Sequence, residues 1–375
     1  MNKHRQKKIA LVHDFLVSYG GAERVFQVMA EMFPDAPIYT LLADQEIVTR
    51  YFPGREVRVS WLCRLPKFLK KRYRFFLPFF PAAVEAFDLR DFDLVLSSSG
   101  AWGKGIVTRL DTTHIAYLHS PMRYAWDYHE QYLAEIASRS GKKKPGIFTR
   151  LLLSYMRLWD RQAAERPDIL LANSQYTQAR IEKYYRRKST VLYPPVTLSR
   201  SFSAFAKEVS RGDYFLLVSR LTRSKKVDVA IEAFNKLGIS LVIVGSGREE
   251  NCLREQARKN ITFMGFVDDE KLATLYAGAR ALIFPSEEDF GMTAVEALSF
   301  GTPVIAFDYG GVREIVEIGK TGETFHAQTP EVLAEGVRRF LQREGTYDES
   351  MMKQSAKRFS QERFQTELGK LIQEF

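Results

Sequence analysis

The chain has 375 residues, with 55 Lys and Arg against 45 Asp and Glu, a formal charge of +10. That length is too great for one ordinary small domain and points to two. Two cysteines, Cys63 and Cys252, exclude a disulfide framework and a cysteine-built zinc site, and no run approaches the roughly 20 apolar residues of a membrane span.

In chain order, Ile9–Val12 reads as a first strand instead of a signal peptide, because the apolar run after the basic N-terminus stops at His13-Asp14. Gly20-Gly21 follows as a tight turn, and Ala22–Met32 has helical spacing. Pro37–Leu42, Val57–Ser60, Leu94–Leu96, His114–Leu118 and Ile169–Ala172 read as further strands. Ile147–Ala164 reads as a long helix, and Asn173-Ser174 caps another that runs through Tyr184. Strands alternating with helices predict a parallel, doubly wound α/β sheet. Tyr193-Pro194-Pro195-Val196 is the natural linker, since paired prolines forbid helix. The pattern then restarts. Strands are expected at Phe215–Val218, Leu241–Val244, Ile261–Phe263, Ala281–Phe284 and Val304–Ala306. Helices are expected at Val229–Leu237, Arg248–Arg258 and Asp269–Ala277, with a final amphipathic helical segment from about Met351. The domain expectation is therefore 1–195 and 196–356, two Rossmann-like halves facing across a cleft, with a last helix at about 357–375.

The most informative stretch is Glu288-Asp289-Phe290-Gly291-Met292-Thr293-Ala294-Val295-Glu296. A strand ends before it and a helix starts within it, which sets both carboxylates at the carboxyl edge of a parallel sheet, where ligands bind. The helix N-terminus at the same place suits an anion such as a phosphate. Glu288, on the turn, is free to meet a hydroxylated ligand, and Glu296 a second hydroxyl pair such as a ribose. This stretch resembles the E-x7-E motif of glycosyltransferase family 4, retaining nucleotide-sugar transferases with a GT-B fold.

Other segments carry the same resemblance. Ser219-Arg220-Leu221-Thr222-Arg223-Ser224-Lys225-Lys226-Val227-Asp228 is similar to the family's G-R-L-x-x-x-K-G-x-D, with Ser219 and Lys226 standing for its glycines. Two fixed cations, Arg220 and Lys225, suit the charge that grows on a leaving nucleotide diphosphate, without a metal. Gly20-Gly21-Ala22-Glu23-Arg24 matches the family's G-G-A-E-R, which implies that the Gly20 and Gly21 amides hold donor phosphate. His119-Ser120-Pro121-Met122-Arg123-Tyr124-Ala125-Trp126-Asp127 resembles polysaccharide mannosyltransferases of the WbaZ-like branch. That likeness implies His119 near the donor sugar, with Arg123, Tyr124, Trp126 and Asp127 as acceptor contacts or local core. Gly245-Ser246-Gly247 resembles a phosphate or nucleotide loop but makes a poor dinucleotide fingerprint, because Glu250 takes the third glycine's place. Gly265-Phe266-Val267-Asp268 occupies the region that abuts the base in the family, so Phe266 or Val267 is expected there. Asp91-Phe92-Asp93 precedes a strand instead of following one, and reads as a strand entry.

Taken over nearly the whole chain, the resemblance implies GT-B architecture with the C-terminal helix crossing back to the first domain. It implies transfer of mannose from GDP-mannose, with retention, to a hydroxyl of a lipid-linked oligosaccharide acceptor in surface polysaccharide synthesis. Glu288 and the backbone of Phe290, Gly291 and Met292 would hold the sugar, Glu296 the ribose, and Arg220 with Lys225 the diphosphate. No metal or other cofactor and no nucleic acid is expected. The basic, aromatic stretch Trp61–Phe80 fits the interface of an anionic membrane, so the protein is expected in the cytoplasm, peripheral on the inner face of the membrane. A UDP-sugar or another GDP-sugar donor, an NAD-dependent oxidoreductase, and a non-catalytic membrane-surface protein are the alternatives.

Overall fold

A computed structural model describes residues 7–64, 73–139, 145–196 and 209–374. The chain divides into two compact units. The first is residues 1–193 together with 365–375, and the second is 194–364.

The first unit is built on seven strands: β1 (Ile9–Leu16), β2 (Ile38–Ala43), β3 (Val57–Val59), β4 (Leu94–Ser99), β5 (Thr113–Leu118), β6 (Ile169–Ala172) and β7 (Thr190–Val191). They lie in the order β3-β2-β1-β4-β5-β6-β7, and every pairing is parallel. The second unit has β8 (Phe215–Val218), β9 (Leu241–Val244), β10 (Ile261–Gly265), β11 (Leu282–Phe284), β12 (Val304–Phe307) and β13 (Gly322–Phe325). Their order is β10-β9-β8-β11-β12-β13, again all parallel. Sheets of this kind are covered by helices on both faces, so their central strands are buried along their length instead of alternating. Leu94–Ser99 is buried along its whole length and Phe215–Leu217 likewise.

Both sheets are Rossmann-like, with the strand order reversing once. In the first the reversal falls between β1 and β4, in the second between β8 and β11. A crevice opens at such a point outside the carboxyl ends of the strands, and ligands of doubly wound sheets sit there. The core of the second unit gathers Phe215, Phe234, Ile243, Ile305, Phe325 and Phe340. That of the first gathers Val12, Tyr39, Phe80, Trp102, Met156 and Trp159.

The expected final helix is broken. Glu349–Ala356 and Gln361–Gln373 are helical, and a single 3-10 turn at Lys357–Phe359 separates them. Phe359 is buried at the break and stacks edge-on to Phe290, with centroids 5.3 Å apart. Strands β7 and β13 escape sequence reading, since β7 is two residues long and Gly322-Glu323-Thr324-Phe325 has no apolar run. Gly322 is required nonetheless: a Cβ there would sit 1.9 Å from the carbonyl oxygen of Val304 on the paired strand.

Candidate active site

In the second unit two loops leave the sheet at its reversal point. The loop after β8 carries Arg220, makes a 3-10 turn at Arg223–Lys225 and passes Lys226 at φ 53° into the helix Val227–Leu237. The loop after β11 carries Glu288 and passes Gly291, at φ 117°, into the helix Met292–Ser299. They meet through an ion pair between Lys225 Nζ and Glu288 Oε1. Ser286 Oγ donates to the same carboxylate oxygen at 2.9 Å. Both charged side chains are about one-fifth exposed, 21% and 22%, so a ligand can still reach them.

Glu288 is fixed from behind by backbone. It forms a parallel bridge to Gly310, and the Gly311 N–H donates to its carbonyl at 2.9 Å. A Cβ on Gly310 would lie 2.4 Å from that carbonyl, and one on Gly311 would lie 2.3 Å from that of Asp289. Gly310-Gly311 is thus a cradle for the acidic loop. Arg220 is exposed, and while its carbonyl accepts from Thr222 N at 2.9 Å, its guanidinium has no ion-pair or hydrogen-bond partner among the described residues. Phe290 is buried, leaving only its backbone to a ligand. Gly291 caps the Met292 helix, whose first N–H groups have no partner inside it. Glu296, one turn further along, is 5% exposed and accepts from Tyr276 Oη at 2.8 Å.

The glycines after β9 have a packing reason. A Cβ on Gly245 would meet Ser219 O at 1.9 Å, and one on Gly247 would meet Leu221 O at 2.2 Å. The loop after β9 therefore lies directly on the loop after β8, and the Gly245 N–H is given to Gly265 O at 2.7 Å. Val267 is half-buried beyond the end of β10, while the neighbouring Phe266 ring is 79% exposed.

In the first unit the reversal point holds a chain of polar groups that the sequence reading missed. His13 lies within β1, buried and stacked on Phe26 at 4.6 Å. Its Nδ1 lies 3.1 Å from Ser98 O and 3.2 Å from Ser98 Oγ. A carbonyl only accepts, so His13 Nδ1 carries a hydrogen. The same Ser98 hydroxyl lies 2.8 Å from His119 Nε2, so it joins the two imidazoles through one group. On its other side His13 Nε2 faces Glu23 Oε1 at 3.6 Å. Burial raises the Glu23 pKa, but His13 and the Gly20 and Glu23 amides outweigh it and hold the carboxyl below its ordinary value. Glu23 Oε2 also takes the Gly20 N–H at 2.8 Å, at the start of the helix Gly21–Met32. The Gly20 amide, expected on phosphate, is bonded to this carboxylate here.

Asp14 is the second missed residue. Its carboxylate accepts Ser99 Oγ and the N–H groups of Gly100, Ala101, Trp102 and Gly103, all at 2.6–3.1 Å. It ties the end of β1 to the loop after β4. Polar residues inside otherwise apolar strands, His13-Asp14 and Ser97-Ser98-Ser99, are the signal that would have revealed both.

The segment after β5 is anchored at several points. Asn173 Nδ2 donates to His119 O at 2.9 Å. Arg180, 5% exposed, bonds Ser120 Oγ at 3.0 Å and Asp127 at 2.8 Å. Trp126 stacks on Tyr184 at 4.9 Å and gives its indole N–H to Asp160 at 2.7 Å. Asp160 is wholly buried with Lys104, 2.6 Å away, and also accepts from Tyr185 Oη at 2.8 Å. The Tyr124 hydroxyl is buried without a hydrogen bond, and burial pushes its pKa well up. Arg123 is half-buried on the same turn. Asp93 accepts the Lys8 N–H at 2.8 Å where β1 and β4 begin, so Asp91-Phe92-Asp93 lies at the edge opposite to the ligand edge.

Two Rossmann-like units, each on its own parallel sheet, are the build of the GT-B class. The description "Glycosyltransferase Family 4" matches residues 19–200, and "Glycosyl transferases group 1" matches 200–359. Among solved structures, HepE of Anabaena, in complex with UDP and glucose, aligns at TM-score 0.70 with 18% identity, covering 99% of this chain and 100% of that one. Sucrose-phosphate synthase of Thermosynechococcus elongatus aligns at TM-score 0.71 with 20% identity, covering 98% and 99%. An uncharacterized glycosyltransferase of Methanocaldococcus jannaschii, MJ1607, is 36% identical over 136 residues, 34% of this chain and 35% of the relative. The human alpha-1,3/1,6-mannosyltransferase ALG2 is 30% identical over 190 residues, 41% of this chain and 45% of the relative. The chain thus spans between a third and a half of the length of these two curated relatives. The two matched regions run end to end and, with the fold, support a member of glycosyltransferase family 4.

Proposed function

We propose that this chain is a retaining glycosyltransferase that moves mannose from GDP-mannose to a hydroxyl of a lipid-linked glycan. The observation that carries the reading is the meeting of Lys225 with Glu288 beside the uncommitted Arg220, at the carboxyl edge of the second sheet. In this reading Arg220 and Lys225 take the diphosphate as its charge grows, which is the work of a metal in other transferases and needs none here. Glu288 and the backbone of Phe290, Gly291 and Met292 hold the sugar hydroxyls, and Glu296 holds the ribose. The sugar C1–O bond to the diphosphate breaks while the acceptor oxygen bonds C1 on the same face. The acceptor proton leaves with the diphosphate oxygen, so no enzyme carboxylate bonds the sugar. His119, held by the Ser98 hydroxyl at 2.8 Å, serves as a hydrogen-bonding partner of a sugar or acceptor oxygen.

The mannosyl choice draws on the His119–Asp127 segment and on ALG2, named a mannosyltransferase. A UDP-sugar donor is the second reading, favoured by HepE, which was solved with UDP and glucose. Calorimetric titration with GDP-mannose, GDP, UDP-glucose and NAD, with and without EDTA, separates the readings. Binding of GDP and GDP-mannose unchanged by EDTA is expected. UDP-glucose binding alone would move the donor, and NAD binding or no nucleotide binding would overturn the proposal.

A further inference from the structure

The helix Ile147–Ala163 has two apolar faces where one would suffice. Leu153, Met156, Trp159 and Ala163 are buried in the first unit. On the other side Ile147 is 63% exposed, Phe148 84%, Leu151 59%, Tyr155 47% and Leu158 69%. The spacing of Phe148, Leu151, Tyr155 and Leu158 repeats every three or four residues, so they form one stripe running roughly 15 Å along the helix. Nothing in the described part of the first unit covers it. A stripe of this size in large aliphatic and aromatic side chains marks an interaction surface.

The charges beside it say what kind. At about 100° per residue, Arg150, Arg157 and Arg161 fall within about 40° of one another, along one margin of the stripe. Arg150 and Arg161 are exposed, and Arg161 lies 3.8 Å from the exposed Glu165 carboxylate one turn on, at the far end of the helix from Phe148. Arg157 is tied to Ala125 O at 2.7 Å. The only acid between Pro145 and Ala164 is Asp160, which is wholly buried against Lys104. Lys142-Lys143-Lys144 precede the helix in sequence. Two copies of this chain pressed together through this face would set like charges against like. A surface with an apolar interior and anionic head groups matches both features, and helices of this make-up lie in the plane of a membrane interface. Among the described residues no helix is long and apolar enough to cross a membrane.

We infer that the Ile147–Leu158 face docks the first unit on an anionic lipid bilayer, with Phe148, Leu151 and Leu158 inserted and Arg150 and Arg161 on the head groups. This places the contact on a different element from Trp61–Phe80. In that stretch residues 65–72 lie outside the described ones, Leu62 and Phe80 are core, and Trp61 and Phe79 are exposed. The inference rests on the reading of a lipid-linked acceptor for its purpose, and on the helix surface for its evidence.

The test is flotation of the full chain with vesicles of mixed phosphatidylglycerol and phosphatidylcholine, and with phosphatidylcholine alone. The full chain is expected to float with the mixed vesicles and to be released by high salt. The triple variant Phe148→Ser, Leu151→Ser, Leu158→Ser is expected to lose at least about tenfold in partition. Its thermal unfolding and nucleotide affinity should match the parent's, since the altered side chains are exposed. The variant Arg150→Gln, Arg161→Gln should lose the preference for anionic vesicles. Absence of flotation, flotation untouched by the triple variant, or a dimer in sedimentation that the triple variant dissociates would each overturn the inference. Nucleotide-sugar titration of the same preparations in the absence of vesicles separates a failed donor assignment from a failed docking surface.

Discussion

Replacing Glu288 by Gln should tighten the binding of GDP while stopping transfer. Lys225 is paired with Glu288, so a diphosphate competes with that carboxylate for the ammonium. Gln keeps the length of the side chain and can still accept from Ser286 Oγ, which sits 2.9 Å from the Glu288 carboxylate. What it removes is the charge. Exposed pairs are worth roughly 0.2–1 kcal/mol, and this one lies at the upper end because both side chains are mostly covered. A release of about 1 kcal/mol corresponds to about fivefold tighter GDP. In the proposed reaction the carboxylate holds the sugar hydroxyls, so its loss should lower kcat by about a hundredfold or more. Lys225→Ala should weaken GDP by about tenfold or more, as one charge-assisted contact disappears. Calorimetry with GDP on the parent and both variants, at low and high salt, checks this. The gain from Glu288→Gln should shrink as salt screens the pair. If Glu288→Gln weakens GDP as Lys225→Ala does, the two side chains do not compete, and the geometric argument for the site is wrong.

Three further outcomes follow from the geometry. Ser98→Ala removes the hydroxyl shared by His13 and His119 and should lower kcat by about tenfold with donor KM unchanged; a KM effect alone would mark the link as structural. His114 is wholly buried on β5, and burial, with Arg166 and Arg187 nearby, brings its pKa down to about 3. A histidine depressed in the folded state leaves stability intact above its unfolded value near 6.5 and loses it as pH falls toward the folded value. The first unit should therefore lose about 2 kcal/mol between pH 7 and 5. Urea unfolding of a His114→Gln variant should show no such loss, and an equal slope in both would refute the assignment. Lys226 adopts φ 53°, a region that glycine occupies freely. Lys226→Gly relieves about 1–2 kcal/mol of strain and returns part of it through a freer unfolded chain, for a net gain of about 0.5–1 kcal/mol in urea unfolding.

The likeness to the family's K-G-x-D segment already pointed at this position, and the structure supplies its reason. The backbone turns left-handed at Lys226 to start the helix Val227–Leu237, so a residue that tolerates that turn is needed there. Alternation of apolar runs with helical spacing was enough to place most strands and to predict parallel sheets, because a strand buried on both faces must be apolar along its length. The edge strands β7 and β13 carry no such signature. The candidate residues Arg220, Lys225 and Glu288 were legible too, since charged groups at a strand-to-helix turn have few structural uses.

Other features depend on approach between distant segments, which no local pattern encodes. Ser98 joins His13 to His119 only because β4 lies between β1 and β5 in the sheet. Asp14 collects donors some 85 residues further along the chain. Gly310 and Gly245 look like ordinary turn residues until the carbonyls of Glu288 and Ser219 are seen where their side chains would be. Sequence places the Ile147 helix but not its faces. Only the packing shows which side the core takes and which is left outward. Sequence thus determined the elements and the chemistry at their ends, because those follow from local propensity and residue type. Tertiary structure decided which ends meet, which polar groups join His13 to His119 and which surface remains open, because each of these is set by neighbours brought together only in the folded chain.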